Sequence, residues 1–142
     1  AEQGVPLVAQ TLLDISNGVR PVEQSQDGIS LARKLSKTEA LIDWQLTSAV
    51  IDRKIKAFYP NPIAFTSFRG ENLKITRSQM CDDLSFDFTL KPGEWLVERD
   101  RVLIGSGDTA LEVVELIPQG KSEMKASDWA RGARISPGEL CG

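Results

Sequence analysis

The side chains best suited to chemistry in this sequence are cations. Lys34, Lys37, Arg53, Lys54 and Lys56 fall within one stretch, and Lys121 and Lys125 return in a late loop. Long cations at irregular spacing suit phosphate oxygens, which need neutralising charge more than a shaped pocket. The same charges would equally serve as a solvated basic face. Catalysis has less support. The chain has no histidine, which removes the usual general base and the commonest nitrogen ligand for a metal. Serine, cysteine and lysine nucleophiles remain, but no arrangement marks one as activated. "GSGDTALE" carries Gly105 and Gly107 in the manner of a phosphate loop. It lacks a third glycine and leads into a strand, so it reads as a turn between strands. Asp82, Asp83 and Asp87 could recruit a hard cation, but their spacing is not that of a calcium loop, and a solvated loop is the expectation.

The formal net charge of −3 conceals blocks. Residues 1–32 carry −3, residues 33–77 carry +5 and residues 78–142 carry −5. The middle block is where an anionic partner is expected. With 41% apolar and 26% charged residues in 142, the composition is that of one globular domain. No apolar run approaches the ~20 residues of a membrane span, so no membrane is expected among the partners. Cys81 and Cys141 fit neither a metal pair nor a disulfide framework, and a reduced, cytoplasmic setting is the expectation. The chain begins Ala1-Glu2 instead of with methionine, as a processed or cut product would.

These cations must be positioned by elements that the pattern also outlines. Val5, Val8, Leu12 and Ile15 recur near helical spacing before Gly18, which predicts a helix over about 5–17. "VRPVEQSQDG" (19–28) is polar, holds Pro21 and Gly28, and reads as an extended linker. Ser36 and Glu39 form the S-x-x-E of a capping box, which starts a short helical turn. Thr47 or Ser48 then caps "SAVIDRKIKAF", where Ile51, Ile55 and Phe58 share one face and Arg53, Lys54 and Lys56 lie largely off it. Pro60 and Pro62 stop that helix. From there the period falls to two. "IAFTSF", "LKITRSQ", "EWLVERD", "RVLIGSG" and "TALEVVELIP" read as strands, with "RGEN" a tight turn and "CDDLSFDFTLKPG" an acidic loop. A short helix around "KASDWARG" and a tail "ISPGELCG" complete the chain. The predicted class is mainly β with flanking helices: an oligonucleotide-binding-like antiparallel barrel preceded by a linker and an N-terminal helix.

Three segments, "KLSKTEALIDW", "IKAFYPNPIAFTSFRGENLKI" and "GSGDTALEVVELIPQGKSEMKASDWARGAR", closely resemble the C-terminal half of the bacterial methionyl-tRNA formyltransferase family. The similarity runs in order over nearly the whole chain. Its most specific pieces are the K-L-S-K-x-E-A-x-I-D-W linker and the P-x-G-K…M segment ending at Met124. The family's catalytic half is a Rossmann-like domain with an Asn, His and Asp trio and a Ser-Leu-Leu-Pro folate loop, none of which is found here. The resemblance therefore implies a C-terminal module separated from its catalytic domain. Residues 1–33 would be helix and linker from that junction, and residues 34–142 the barrel. It also implies that this chain alone is inactive and holds no cofactor, 10-formyltetrahydrofolate being the donor in the full-length enzyme. The implied partners are initiator methionyl-tRNA and the N-terminal catalytic domain.

On this resemblance "KLSKTEALIDW" is the hinge of a two-domain enzyme, docked by Leu35, Leu41, Ile42 and Trp44. The expected tRNA contacts are Lys34, Lys37, Arg53, Lys54, Lys56, Lys121 and Lys125. Arg131 and Arg134, in "WARGAR", correspond to a basic segment after the last helix that meets tRNA in the family, although the segment is one residue shorter here before Pro137-Gly138. Arg69, Lys74 and Arg77 stay open between phosphate contacts and ordinary strand-face charges. Phe65 and Phe68 have opposite strand parity, so both cannot line one face, and recognition is expected to be electrostatic. The N-terminal helix, lacking a catalytic domain to pack on, is expected to dock on a neighbouring chain, swap or stay poorly ordered. Sugar-nucleotide formyltransferases and formyl-folate dehydrogenases carry related C-terminal domains that shape a substrate cleft, and these remain alternatives, as does a non-catalytic interaction module.

Overall fold

The computed structural model describes residues 4–81 and 90–142. Contacts divide the chain into two units, Ala1–Arg33 and Lys34–Gly142. In the first, helix α1 spans Gly4–Ser16 and has no buried residue. It ends in a Schellman motif: Gly18 at φ 78° donates its amide to Ile15, and the Val19 amide reaches back to Asp14. Glycine suits that left-handed position because it has no Cβ to clash. Among the described residues no helix is long and apolar enough to cross a membrane.

In the second unit the Ser36–Glu39 capping box is present in full. The Ser36 hydroxyl accepts the Glu39 amide at 3.3 Å, and the Glu39 carboxylate accepts the Ser36 amide at 2.7 Å. It encloses a single 3₁₀ turn, Thr38–Ala40. Extended chain follows, and its period of two decides which residues dock. Ala40, Ile42 and Trp44 are buried, and the Trp44 indole donates to Thr66 at 3.0 Å. Leu41 faces outward at 46% exposure, and Leu35, ahead of the turn, is 47% exposed. The docking expected of those two leucines is therefore corrected.

Helix α2, Ser48–Phe58, buries Ile51, Ile55 and Phe58 as its spacing requires. Two cis prolyl bonds, at Pro60 and Pro62, follow it. The sheet then runs through β1 (Phe65–Phe68), β2 (Glu71–Met80), β3 (Trp95–Glu98), β4 (Arg101–Gly105), β5 (Ala110–Pro118) and the two-residue β6 (Met124–Lys125), with helix α3 at Ala126–Ala133. Spatial order is β1-β2-β5-β4-β3, antiparallel throughout, and β6 pairs with β5. The β1–β2 hairpin closes through Arg69 and Gly70, both at positive φ, which matches the right-handed twist of the flanking strands. Leu73 and Ile75 point inward. The core combines α2, Trp44, Trp95, Ile104, Leu111 and Leu116.

The sheet is curled into an open half-barrel, and its ladder leaves β1 and β3 as edges. The segment expected to be a tail crosses that gap. Trp95 donates its amide to Glu139 and Cys141 donates to Gly93, which ties the segment to β3; Gly142 donates to Ser67 of β1. Cys141, within this stave, is buried. Unpaired strand edges expose amides and carbonyls that invite foreign strands, and the last residues occupy both. The acidic stretch containing Asp82, Asp83 and Asp87 lies outside the described residues.

Candidate nucleic-acid interface

The positions of the expected cations depend on the local fold that presents each one. Lys37 stands at the N-terminal end of the 3₁₀ turn and is exposed. In β2 the inward Leu73 and Ile75 force Asn72 and Lys74 outward. Register sets Lys74 beside Phe65 of β1 and Ile117 of β5. After β5 a turn at Gly120 (φ 72°) delivers Lys121, and the Gln119 side-chain oxygen accepts the Asn72 amide at 2.9 Å. Lys37 and Lys74 line one depression of 430 Å³, and Lys74 and Lys121 line an adjoining one of 390 Å³.

The remaining candidates separate into held and unheld charges. Lys56 pairs with the buried Asp52 at 2.6 Å, and Asp52 also accepts from Ser78 of β2. Lys54 donates to the Leu41 carbonyl at 2.6 Å and lies 5.9 Å from the centre of the Phe58 ring. Arg131 pairs with Asp128 and, at 3.4 Å, with Asp100. By contrast, no side-chain partner is found for Lys34, Lys37, Arg53, Lys121, Lys125 or Arg134 among the described residues. Phosphate binding by an already paired cation must break or share that pair, so the unheld group is the stronger electrostatic resource.

Arg69 belongs to neither set as a strand-face charge. Its guanidinium grips Glu139 through Nε at 2.5 Å and Nη2 at 2.8 Å, and donates to the Ala133 carbonyl at 2.9 Å. The carboxylate raises the guanidinium pKa further, while the guanidinium and the Ser136 amide hold Glu139 down to about 2. This fork binds the β1–β2 turn to the closing stave. Strand alternation alone missed it, since the partner comes from a segment distant in the chain.

The glycine-rich "GSGDTALE" is a β4–β5 turn, and its glycines serve close packing. A Cβ on Gly107 would meet the Gln45 carbonyl oxygen at 2.1 Å, and one on Gly105 would meet the Lys91 oxygen at 2.2 Å. Asp108 in this turn accepts the Ser48 amide at 2.8 Å, which satisfies the N-terminus of α2. Thr47 occupies the N-cap position but makes no side-chain cap bond. The Ser48 amide and the Ser106 hydroxyl lower the Asp108 pKa below its ordinary value. Burial pushes the Cys141 thiol up to about 12, so it is protonated at neutral pH. Among the described residues no three His, Cys, Asp or Glu side chains form a group able to hold a metal ion.

The family model described as "Formyl transferase, C-terminal domain" matches residues 34–134. Methionyl-tRNA formyltransferase of Saccharopolyspora erythraea is 41% identical over 137 residues, 96% of this chain and 43% of that protein. The Streptomyces coelicolor methionyl-tRNA formyltransferase is 38% identical over 140 residues, covering 98% of this chain and 44% of its own length. The chain thus spans less than half the length of these relatives. Among solved structures, HypX from Aquifex aeolicus superimposes with a TM-score of 0.75 at 20% identity, over 95% of this chain and 24% of that one. At that identity the likeness is one of fold.

Proposed function

The chain belongs to the formyl transferase C-terminal domain family, and from that premise we propose that it is the tRNA-binding module of a methionyl-tRNA formyltransferase. The whole enzyme would move a formyl group from 10-formyltetrahydrofolate to the amino group of initiator methionyl-tRNA in the cytoplasm. In that transfer the amine forms a bond to the formyl carbon, the bond to the folate nitrogen breaks, and tetrahydrofolate leaves. This chain contributes binding. Among the described residues, the two depressions that share Lys74 are walled by lysines, amides and prolines with no buried polar side chain to hold a pterin, and no step is assigned to them.

The observation that carries this reading is the +5 block at residues 33–77, whose Lys34, Lys37 and Arg53 have no side-chain partner among the described residues. Lys121, Lys125 and Arg134 extend it, while Lys54, Lys56 and Arg131 join once their present partners are shared. Such contacts position a polyanion without reading sequence. The line of Val5, Val8, Leu12 and Ile15 along α1 is the surface assigned to the catalytic domain, or to a second copy where that domain is absent. A gel-shift comparison of tRNA with duplex DNA, paired with a formylation assay, tests the proposal. Binding of tRNA without turnover is expected. Absence of tRNA binding, or turnover by the 142-residue chain, would refute it.

A further inference from the structure

The two depressions on the outer face of β1, β2 and β5 are not separate features. Asn72 and Lys74 form the wall common to both, so the surface runs without interruption from Lys37 past Lys74 to Lys121. The two parts measure 430 and 390 Å³ and are open to solvent, as a groove that tracks a backbone must be. Its charged lining is entirely cationic. The neighbouring depression beside α3 also reaches Lys121 but includes Glu71 and Asp128. The acid-free face is therefore the one complementary to a phosphate chain.

Between the lysines stand three carboxamides, Asn61, Asn72 and Gln119. An ammonium suits a phosphate oxygen, which only accepts. A carboxamide both donates and accepts, and so does a ribose 2′-hydroxyl. Gln119 is already oriented, because its oxygen accepts the Asn72 backbone amide and leaves the NH₂ as a donor. Phe65 and Pro62 add apolar wall beside Lys37, and Pro118 does the same near Lys121.

We propose that this face is a ribose–phosphate track: Lys37, Lys74 and Lys121 neutralise phosphates of one strand, while Asn61, Asn72 and Gln119 hydrogen-bond its 2′-hydroxyls. The track rests on the tRNA-binding reading and deepens it. It adds Lys74 and the three amides to the contact set, and it makes the chain select RNA over DNA of equal length and charge.

The test is a fluorescence-anisotropy titration of the 142-residue chain with a labelled tRNA transcript, and with RNA and DNA oligonucleotides of one sequence, at several salt concentrations. The unsubstituted chain should prefer RNA by roughly fivefold per hydrogen bond to the sugar. Lys74→Ala should weaken RNA and DNA alike and reduce the salt slope by about 1, and Lys74→Arg should restore both. Asn72→Ala should weaken RNA alone and bring the RNA-to-DNA ratio towards one. Lys91→Ala, an exposed cation outside the track, should change nothing. Tight tRNA binding that ignores Lys74→Ala and Lys121→Ala would overturn the track while leaving the tRNA reading intact. Equal affinity for RNA and DNA would overturn the sugar contacts, and no RNA binding by the unsubstituted chain would overturn both readings.

Discussion

Arg69 and Glu139 are 70 residues apart in the chain and form a two-pronged ion pair. Because Glu139 is depressed from its ordinary 4.5 to about 2, the folded state binds its proton less readily than the unfolded state. Its contribution is thus fully present above pH 4.5 and is lost as pH falls from there towards 2. Urea midpoints of the chain and of Glu139→Gln should differ most near neutral pH and converge as acid protonates Glu139; a constant difference down to pH 2 would disprove the linkage. Glycines offer a second contrast. Gly107→Ala places a Cβ 2.1 Å from the Gln45 oxygen and should cost about 1–3 kcal/mol, as overpacking does. Gly132, in α3, has nothing within 4 Å of the added atom, and Gly132→Ala should stabilise by about 0.5–1 kcal/mol because it removes helical glycine entropy. Both are read from urea denaturation. Glycine as a residue type was plain in the sequence; which glycine is pressed against a carbonyl of a distant loop was not, since that neighbour is remote in the chain.

At the scale of elements, the start of α2 shows how a local signal can be right about place and wrong about chemistry. The sequence offers Thr47 or Ser48 as the cap, and the helix does begin at Ser48. The oxygen that satisfies its amide, however, belongs to Asp108 in the β4–β5 turn. Asp108→Ala should therefore lower stability by about 1 kcal/mol, the usual cost of losing a cap, while Thr47→Ala should change it little. Chemical denaturation of the two variants decides the matter, and equal effects would reject the remote cap. The Ser36–Glu39 box needed no such help, because both partners lie within one turn of each other. The same distinction explains the tail. Its residues carry no strand pattern of their own, and they are ordered by two edges, β1 and β3, that the curled sheet brings to either side of them.

At the scale of the whole molecule, the proposed tRNA binding rests on the charge distribution. If tRNA is held by four to six phosphate contacts, the logarithm of affinity should fall with the logarithm of salt at a slope on the order of −3 to −5. Replacing Lys34 and Lys37 together should reduce that slope by about 1–2 and weaken all tRNAs alike. Lys56→Ala should matter less, since Lys56 already neutralises Asp52 at 2.6 Å. A slope near zero in titrations across salt would exclude electrostatic tethering. Much of this design is written locally. The basic block, the linker with its capping box, the period change after Pro62 and the turn at Arg69–Gly70 each depend on neighbours within a few residues, so the sequence by itself determined them. Three other matters were left to tertiary structure: the engagement of Arg69 by Glu139, the capping of α2 by Asp108, and the gathering of Lys37, Lys74 and Lys121 along one face. Each depends on sheet curvature and register bringing distant segments within hydrogen-bond or van der Waals reach, and no period or cap signal in the chain encodes that geometry.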